Sequence, residues 1–272
     1  VAVLSGGVSA ALMLAGLLAP WIVPYDPYAQ NLGARLKPPT VAHWLGTDEV
    51  GRDVLSRVVY GVRVSYGIAL VSVLLTPLVA VPLGLVAGYY GGWTDTVVMR
   101  LIDVMLAFPG LVLALVVVSI LGSGAFSVVL ATAVFSIPIY ARVVRAEILT
   151  RRTVDYTVAA RAAGQTDLGI IARHLLPNIA GTLIVLSALR MASVLLASAA
   201  LGFLGLGVQP PEPEWGLMIS ATRDYIRAAP HVIVGPGLAL AVSVLAFNLL
   251  GDGLRDVLDP TMRQRLMRTS AS

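Results

Sequence analysis

The 272 residues are 57% hydrophobic and only 12% charged, with a mean hydropathy of +0.86, whereas a soluble domain carries about 25% charged residues. With no cysteine, the chain has neither a disulfide framework nor a thiolate metal site, and His43, His174 and His231 lie too far apart in sequence for a local ligand cluster, so no metal site is expected. The formal charge of +4 is small, and its nineteen Lys and Arg residues fall in loops around apolar blocks rather than in one basic run, which argues against nucleic acid and for a membrane topology.

A helix needs about 20 apolar residues to cross the hydrocarbon layer, so charge-free runs count the crossings. The first runs over 1–23; its length and the lack of a basic leader argue for a retained helix rather than a signal peptide. Residues 24–62 are too polar to lie in lipid. They begin with Pro24, Pro27, Pro38 and Pro39, which disfavour helix, and continue as HWLGTDEVGRDVLSRVVYGVRVS. Here Thr47 is the expected N-cap, Asp48 and Glu49 suit a helix start, and Val50, Val54, Val58 and Val62 recur every four residues. Two readings stand: an amphipathic surface helix leading into the second span, or a plain extension of that span.

The second span lies within Val64–Thr94 and ends near Gly88-Tyr-Tyr-Gly-Gly. The 38 charge-free residues from Val104 to Ala141 are too long for one crossing and break at Leu121-Gly-Ser-Gly124, giving spans three and four. The loop that follows reads RRTVDYTVAARAAGQTDLGIIARHLLPN, Arg151 to Asn178. Ala159, Ala160, Ala163 and Gly164 fall on one small-residue helix face. That face suits close approach of another protein, or packing on this protein's own loops. Gly164 can end the helix in the left-handed conformation, Thr166 can cap a second one, and Pro177 disfavours helical geometry at Leu176.

Span five runs from about Asn178 to Leu206 and contains Arg190, twelve residues or about 18 Å past Asn178. A charge at that depth needs a partner. Asp103 at the start of span three, an acid on another subunit and a cargo carboxylate are the candidates. A structural ion pair and a pathway-lining role both remain open for Arg190. After Gln209-Pro-Pro-Glu-Pro213, the stretch from Trp215 to Arg227 resumes helical spacing, with Arg223 and Arg227 polar and Trp215 expected at headgroup level. It serves either as an outer gate or docking surface, or as a passive interfacial anchor. Span six covers about Val232 to Leu250.

Lys and Arg concentrate in cytoplasmic loops. Placing 90–103, 142–176 and 251–272 inside collects eleven arginines, whereas acids balance the seven basic residues outside. Both termini are then cytoplasmic.

The Arg151–Asn178 stretch resembles the EAA loop of ABC-importer permeases: Ala159, Ala160, Gly164, Leu176 and Pro177 fall in register. Val158 stands where a glutamate is usual and His174 where an isoleucine is usual, with Asp155 a nearby acid. HWLGTDEVGRDVLSRVVYG, ALGFLGLGVQPPEPEWG (200–216) and NLLGDGLRDVLDP (248–260) resemble the second permease of dipeptide, oligopeptide and nickel importers of bacterial inner membranes. The resemblance implies an all-α integral membrane protein with the six-span type I importer permease fold. It divides into a first transmembrane helix (1–23), an extracytoplasmic segment (24–62), a core permease domain (63–252) with a coupling loop (148–178) and an outer loop (207–231), and a cytoplasmic tail (253–272). It further implies a second permease, one or two cytoplasmic ATPases that bind the ATP and Mg, and an extracytoplasmic binding protein. The helix at 153–163 would dock into an ATPase cleft, and closure of the ATPases would move spans three to five. This chain itself would be non-catalytic and free of cofactor, and it carries no GxxxxGK[ST] phosphate loop. Peptides are the implied cargo, with nickel chelates, glutathione and haem-like compounds as alternatives. A secondary transporter or channel would instead show inverted repeats or intramembrane acids forming an ion route, and an intramembrane enzyme would show a catalytic constellation within its spans.

Overall fold

The computed structural model describes residues 2–258, which form ten α-helices and no sheet; among them the β-type pairing is an isolated antiparallel bridge between Thr47 and Asp53. The tail from residue 259 onward, including the end of the 248–260 motif and Arg263, Arg265 and Arg268, lies outside the described residues.

Helix α1 (Ala2–Ile22) buries a narrow seam of Ser5, Ser9, Gly16 and Ala19. It leaves Leu14, Leu17, Leu18 and Trp21 exposed at helical spacing, the pattern of a span with one protein-facing stripe and one lipid-facing side. Helix α2 (Val54–Tyr90) has 37 residues, about 55 Å at 1.5 Å per residue, so it must protrude beyond a hydrocarbon layer of about 30 Å. Because α2 runs unbroken from Val54, residues 54–62 are an extension of span two. No separate surface helix forms there. The expected cap also moves. Asp53, rather than Thr47, caps α2, its carboxylate accepting from the Ser56 N–H at 2.8 Å. The Thr47 hydroxyl is engaged elsewhere, donating to the Ala34 carbonyl. At the far end, α2 stops at Gly91 with φ +68°, where the sequence expects the turn.

The third crossing departs from expectation. Helices α3 (Gly92–Leu106) and α4 (Gly110–Leu121) meet at 89° across Ala107-Phe108-Pro109. The 12 residues of α4 cover only about 18 Å, too short to cross alone. The break at 122–124 falls as expected, and α5 (Ala125–Arg151) follows it.

Helices α2 and α5 form the centre of the bundle. A Cβ on Gly84 would lie 2.6 Å from the Val144 Cβ, so glycine there lets the two backbones approach. Ser72 and Thr132 hydroxyls meet at 2.8 Å in the same interface. After α6 (Asp155–Ala162) and α7 (Asp167–Ile170), a wide π turn at Ile171–Leu175 leads into α8 (Leu176–Phe203). Pro177 therefore does not break the helix: Leu176 is helical at φ −59°, ψ −45°, and Pro177 sits in the first turn of α8, where its missing N–H costs nothing. Helix α9 (Trp215–Thr222) lies outside the crossings, and α10 (His231–Leu258) completes the bundle against α8 and α1.

Candidate functional site

The end of the bundle formed by residues 24–53 and 207–231 is tied together from within. Arg57, 3% exposed at its side chain, lies 3.5 Å from the Asp48 carboxylate through its Nε. Its Nη1 donates to the carbonyls of Pro27 (2.8 Å) and Pro211 (3.3 Å). One buried cation thus joins the first loop, the start of α2 and the second loop. Tyr28 donates to Glu212 at 3.1 Å, and burial together with that carboxylate pushes its phenol up from the usual range. Arg52 bonds Asp48 and Glu49 at 2.6 and 2.8 Å, and Arg35 reaches the Tyr225 hydroxyl at 2.6 Å.

Trp215 belongs to this construction. It is fully buried, its ring edge-on to Tyr66 at 5.9 Å and its indole N–H donating to the Val58 carbonyl at 3.0 Å. The expected headgroup position is thereby corrected: the first turns of α2 cover the indole. The expected amphipathic helix is shorter too, since α9 ends at Thr222 and a 3-10 turn spans Arg223–Tyr225. Arg223 and Arg227 are exposed, with Arg223 3.8 Å from Asp224. Glu214 caps α9 through the Leu217 N–H at 2.8 Å, and its other oxygen is buried without a hydrogen-bond partner. Burial pushes this carboxyl up from the ordinary glutamate range. Sequence reading singled out neither Arg57 nor Glu214. An acid directly before a helical start in a proline-rich loop is the signal that would have found the second.

At the opposite end, α6 and α7 pack over the end of α2. Arg161 donates to the Tyr89 hydroxyl at 3.3 Å, Tyr89 donates to Asp167 at 2.7 Å, and Arg152 bonds the Gly88 carbonyl at 3.1 Å. Gly164 has φ +78° with open space around it, and the Thr166 side chain caps α7 by accepting from the Gly169 N–H. Both features match the sequence reading, and the helix expected at 153–163 spans Asp155–Ala162. The small-residue face, however, is divided. Ala160 is buried with Ile148, Ile170 and Leu175, whereas Ala159, Ala163, Gly164 and Val158 are exposed. Own-chain packing thus accounts for Ala160 alone. Asp155 and Pro177 are exposed, Leu176 is 38% exposed, and His174 lies 2.9 Å from Gln165.

Within the bundle, Asp103 does not meet Arg190; it pairs with Arg142 at 2.6 Å, α3 to α5. Arg190 forms no ion pair among the described residues, and its Nε is buried without a hydrogen-bond partner. It stands one turn past Ser187, which accepts from Tyr140 at 2.9 Å. On the α6 side of this level a cavity of about 620 Å³ opens between α5, α8 and α10, lined by Glu147, Arg151, Asn178, Thr182, Leu189 and Arg255 among others.

The chain matches two family descriptions: "Binding-protein-dependent transport system inner membrane component" over residues 80–264, and "N-terminal TM domain of oligopeptide transport permease C" over residues 1–39. It is 45% identical over 264 residues to the glutathione transport system permease protein GsiD of Pectobacterium atrosepticum, covering 97% of this chain and 88% of that protein. It is 46% identical over 258 residues to the di/tripeptide transport system permease protein DppC of Pseudomonas aeruginosa, covering 93% of this chain and 85% of that one. Among solved structures, the inward-facing MetNI methionine ABC transporter superposes with a TM-score of 0.61 over 75% of this chain and 97% of that one, at 21% identity, which supports the shared fold alone. The chain therefore belongs to the binding-protein-dependent transport system inner-membrane components, as a multi-pass, non-catalytic ABC-importer permease subunit of the dipeptide and glutathione transport type with the type I fold.

Proposed function

We propose that this chain forms, with a second permease, the path through a bacterial inner membrane for short peptides delivered by an extracytoplasmic binding protein. Both termini are cytoplasmic in this reading, and the end formed by 24–53 and 207–231 faces out. Arg223 and Arg227 on that end are available to the binding protein or to an outer gate. Coupling runs through α6 and α7 to a cytoplasmic ATPase, which binds the ATP and Mg; this chain needs no cofactor of its own. Relatives named for dipeptide, di/tripeptide and glutathione transport support peptide cargo. Glutathione, itself a tripeptide, is the second reading, favoured by the 45% identical permease named for it.

The observation that carries the coupling reading is the exposed row of Val158, Ala159, Ala163 and Gly164 on a helix that is otherwise fastened to the bundle. Small side chains let a partner's surface come close, and the left-handed Gly164 ends α6 without covering that face. Ala159→Asp and Ala163→Asp test this, because both positions are exposed and a charge there leaves the bundle intact. Each variant should insert and pair with the second permease normally, yet fail to retain the ATPase and lose uptake. Wild-type uptake and ATPase retention in both would remove α6 from the coupling role.

A further inference from the structure

We propose that the turn at residues 40–44 is a membrane-interface anchor, seating Val41 and Trp44 among the lipid headgroups and upper acyl chains beside the end of α1. Val41 is 95% exposed and Trp44 71% exposed, although neither sits on a loose loop. Thr40 and His43 close the turn with backbone and hydroxyl bonds of 2.8 and 3.0 Å. Tyr25 donates to the Ala42 carbonyl at 3.0 Å and stacks on His43 at 4.7 Å, and His43 Nδ1 lies 2.9 Å from the Asp53 cap of α2. The Trp44 indole N–H is already spent on the Val41 carbonyl at 3.1 Å. A fastened turn therefore holds out an apolar side chain and an aromatic ring whose one polar group is already bonded within the turn.

The position of the turn names the occupant. Beneath Val41 and Trp44 is a cavity of about 400 Å³ whose other walls include Ile22, Pro24 and Leu55. Ile22 is the last residue of α1, and the lipid-facing stripe of that span ends at Trp21, 78% exposed, and Ile22, 52% exposed. The patch is thus continuous with a surface that already faces lipid, at the level where the span leaves the hydrocarbon. Tryptophan is enriched at that level because its ring is amphipathic. The one carboxylate lining the cavity, Asp53, is itself buried and bonded to Ser56 and His43. A mostly apolar and aromatic pocket at a span end, its one carboxylate already bonded within the chain, fits lipid better than a soluble partner. The inference holds whichever side of the membrane this end faces, so it stands or falls separately from the orientation proposed above.

The cysteine-free sequence allows a direct depth measurement on the complete transporter in lipid nanodiscs. A nitroxide at Val41→Cys is compared with one at Ala228→Cys, an exposed position on the other loop of the same end. The probes are molecular oxygen, which concentrates in lipid, and a water-soluble nickel chelate. The label at 41 should show an oxygen-to-nickel collision ratio several-fold above that at 228, and Trp44→Ser should reduce it. Equal ratios at the two positions would overturn the anchor. So would a label at 41 that is open to nickel in the free transporter and becomes shielded only when the binding protein is added, because the patch would then be a protein-docking surface.

Discussion

Arg57 and Arg190 are both largely withdrawn from water, and the regions around them are built on opposite terms. Around Arg57 the chain supplies a carboxylate at 3.5 Å, two carbonyls, and loops from both sides of the sequence that converge on the guanidinium, although its Nε makes no hydrogen bond. Around Arg190 it supplies a tyrosine and a serine that bond each other, and the buried Nε is left without a hydrogen-bond partner. A buried charge that its own chain pairs with a carboxylate is architecture; one without an ion-pair partner in the chain leaves room for a group from outside it. The α6 face follows the second pattern, with small side chains exposed on a fastened helix. The contrast teaches that this subunit ties its 24–53 end together from within, whereas the α5–α8 seam and the exposed face of α6 are the places that we propose for groups from outside the chain.

The largest expected effect is at the 24–53 end. Arg57→Gln removes one of the two buried arginines at Asp48, which keeps Arg52 at 2.6 Å, and frees the Pro27 and Pro211 carbonyls; each buried acceptor left unsatisfied costs about 1–3 kcal/mol. Thermal unfolding of the purified permease pair should show a large loss of stability, with faster proteolysis of both the 24–53 and 207–231 loops. If only one loop is loosened, the arginine does not join them.

Arg190→Gln should behave differently. Because the chain gives this guanidinium little, removing it should barely change stability or assembly. Uptake carries the effect. If Arg190 lines the path and meets a cargo carboxylate, a hydrogen bond to a charged group, worth about 1.5–3 kcal/mol, is lost for free-carboxylate peptides and not for their amides. Uptake of the former should therefore fall by roughly tenfold more than uptake of the latter, since each 1.4 kcal/mol is about a factor of ten. Equal losses for both peptide types, or a collapse of assembly, would make Arg190 a structural residue paired with the second permease.

What the sequence revealed and what it concealed divide along a similar line. Features decided within one turn of chain were legible: the stop at Gly91, the break at 122–124, the left-handed Gly164 and the Thr166 cap. Features decided by a distant segment were not. Thr47 was the expected cap, but the Ala34 carbonyl takes its hydroxyl and Asp53, which sequence reading did not single out, caps α2. Trp215 is of a residue type common at membrane interfaces, but the first turns of α2 cover it, and Gly61 makes room: a Cβ there would lie 2.7 Å from the indole nitrogen. Asp103 found Arg142 because α3 packs on α5, a contact that charge counting along the chain does not reveal. The bend at Ala107–Pro109 lies inside a charge-free run, so counting charges passed over it.

The smallest effect sharpens the comparison at Glu214, one of the side chains at this end that keep a buried atom without a hydrogen-bond partner. Its carboxylate caps α9, but its second oxygen has no hydrogen-bond partner, and burial raises its proton affinity. The folded state therefore holds this proton more tightly than the unfolded state does. The contribution to stability is complete below the ordinary glutamate value and is lost as pH rises through the raised value of the folded protein. Glu214→Gln keeps a carbonyl to accept from the Leu217 N–H and has no proton to lose. Its unfolding midpoint should match wild type in acid and exceed it as pH rises past the folded-state value, whereas Glu214→Ala, which removes the cap, should cost about 1 kcal/mol even in acid. Parallel midpoint-against-pH curves for wild type and Glu214→Gln would mean that the carboxyl titrates as it does in water and that the orphaned oxygen is solvated.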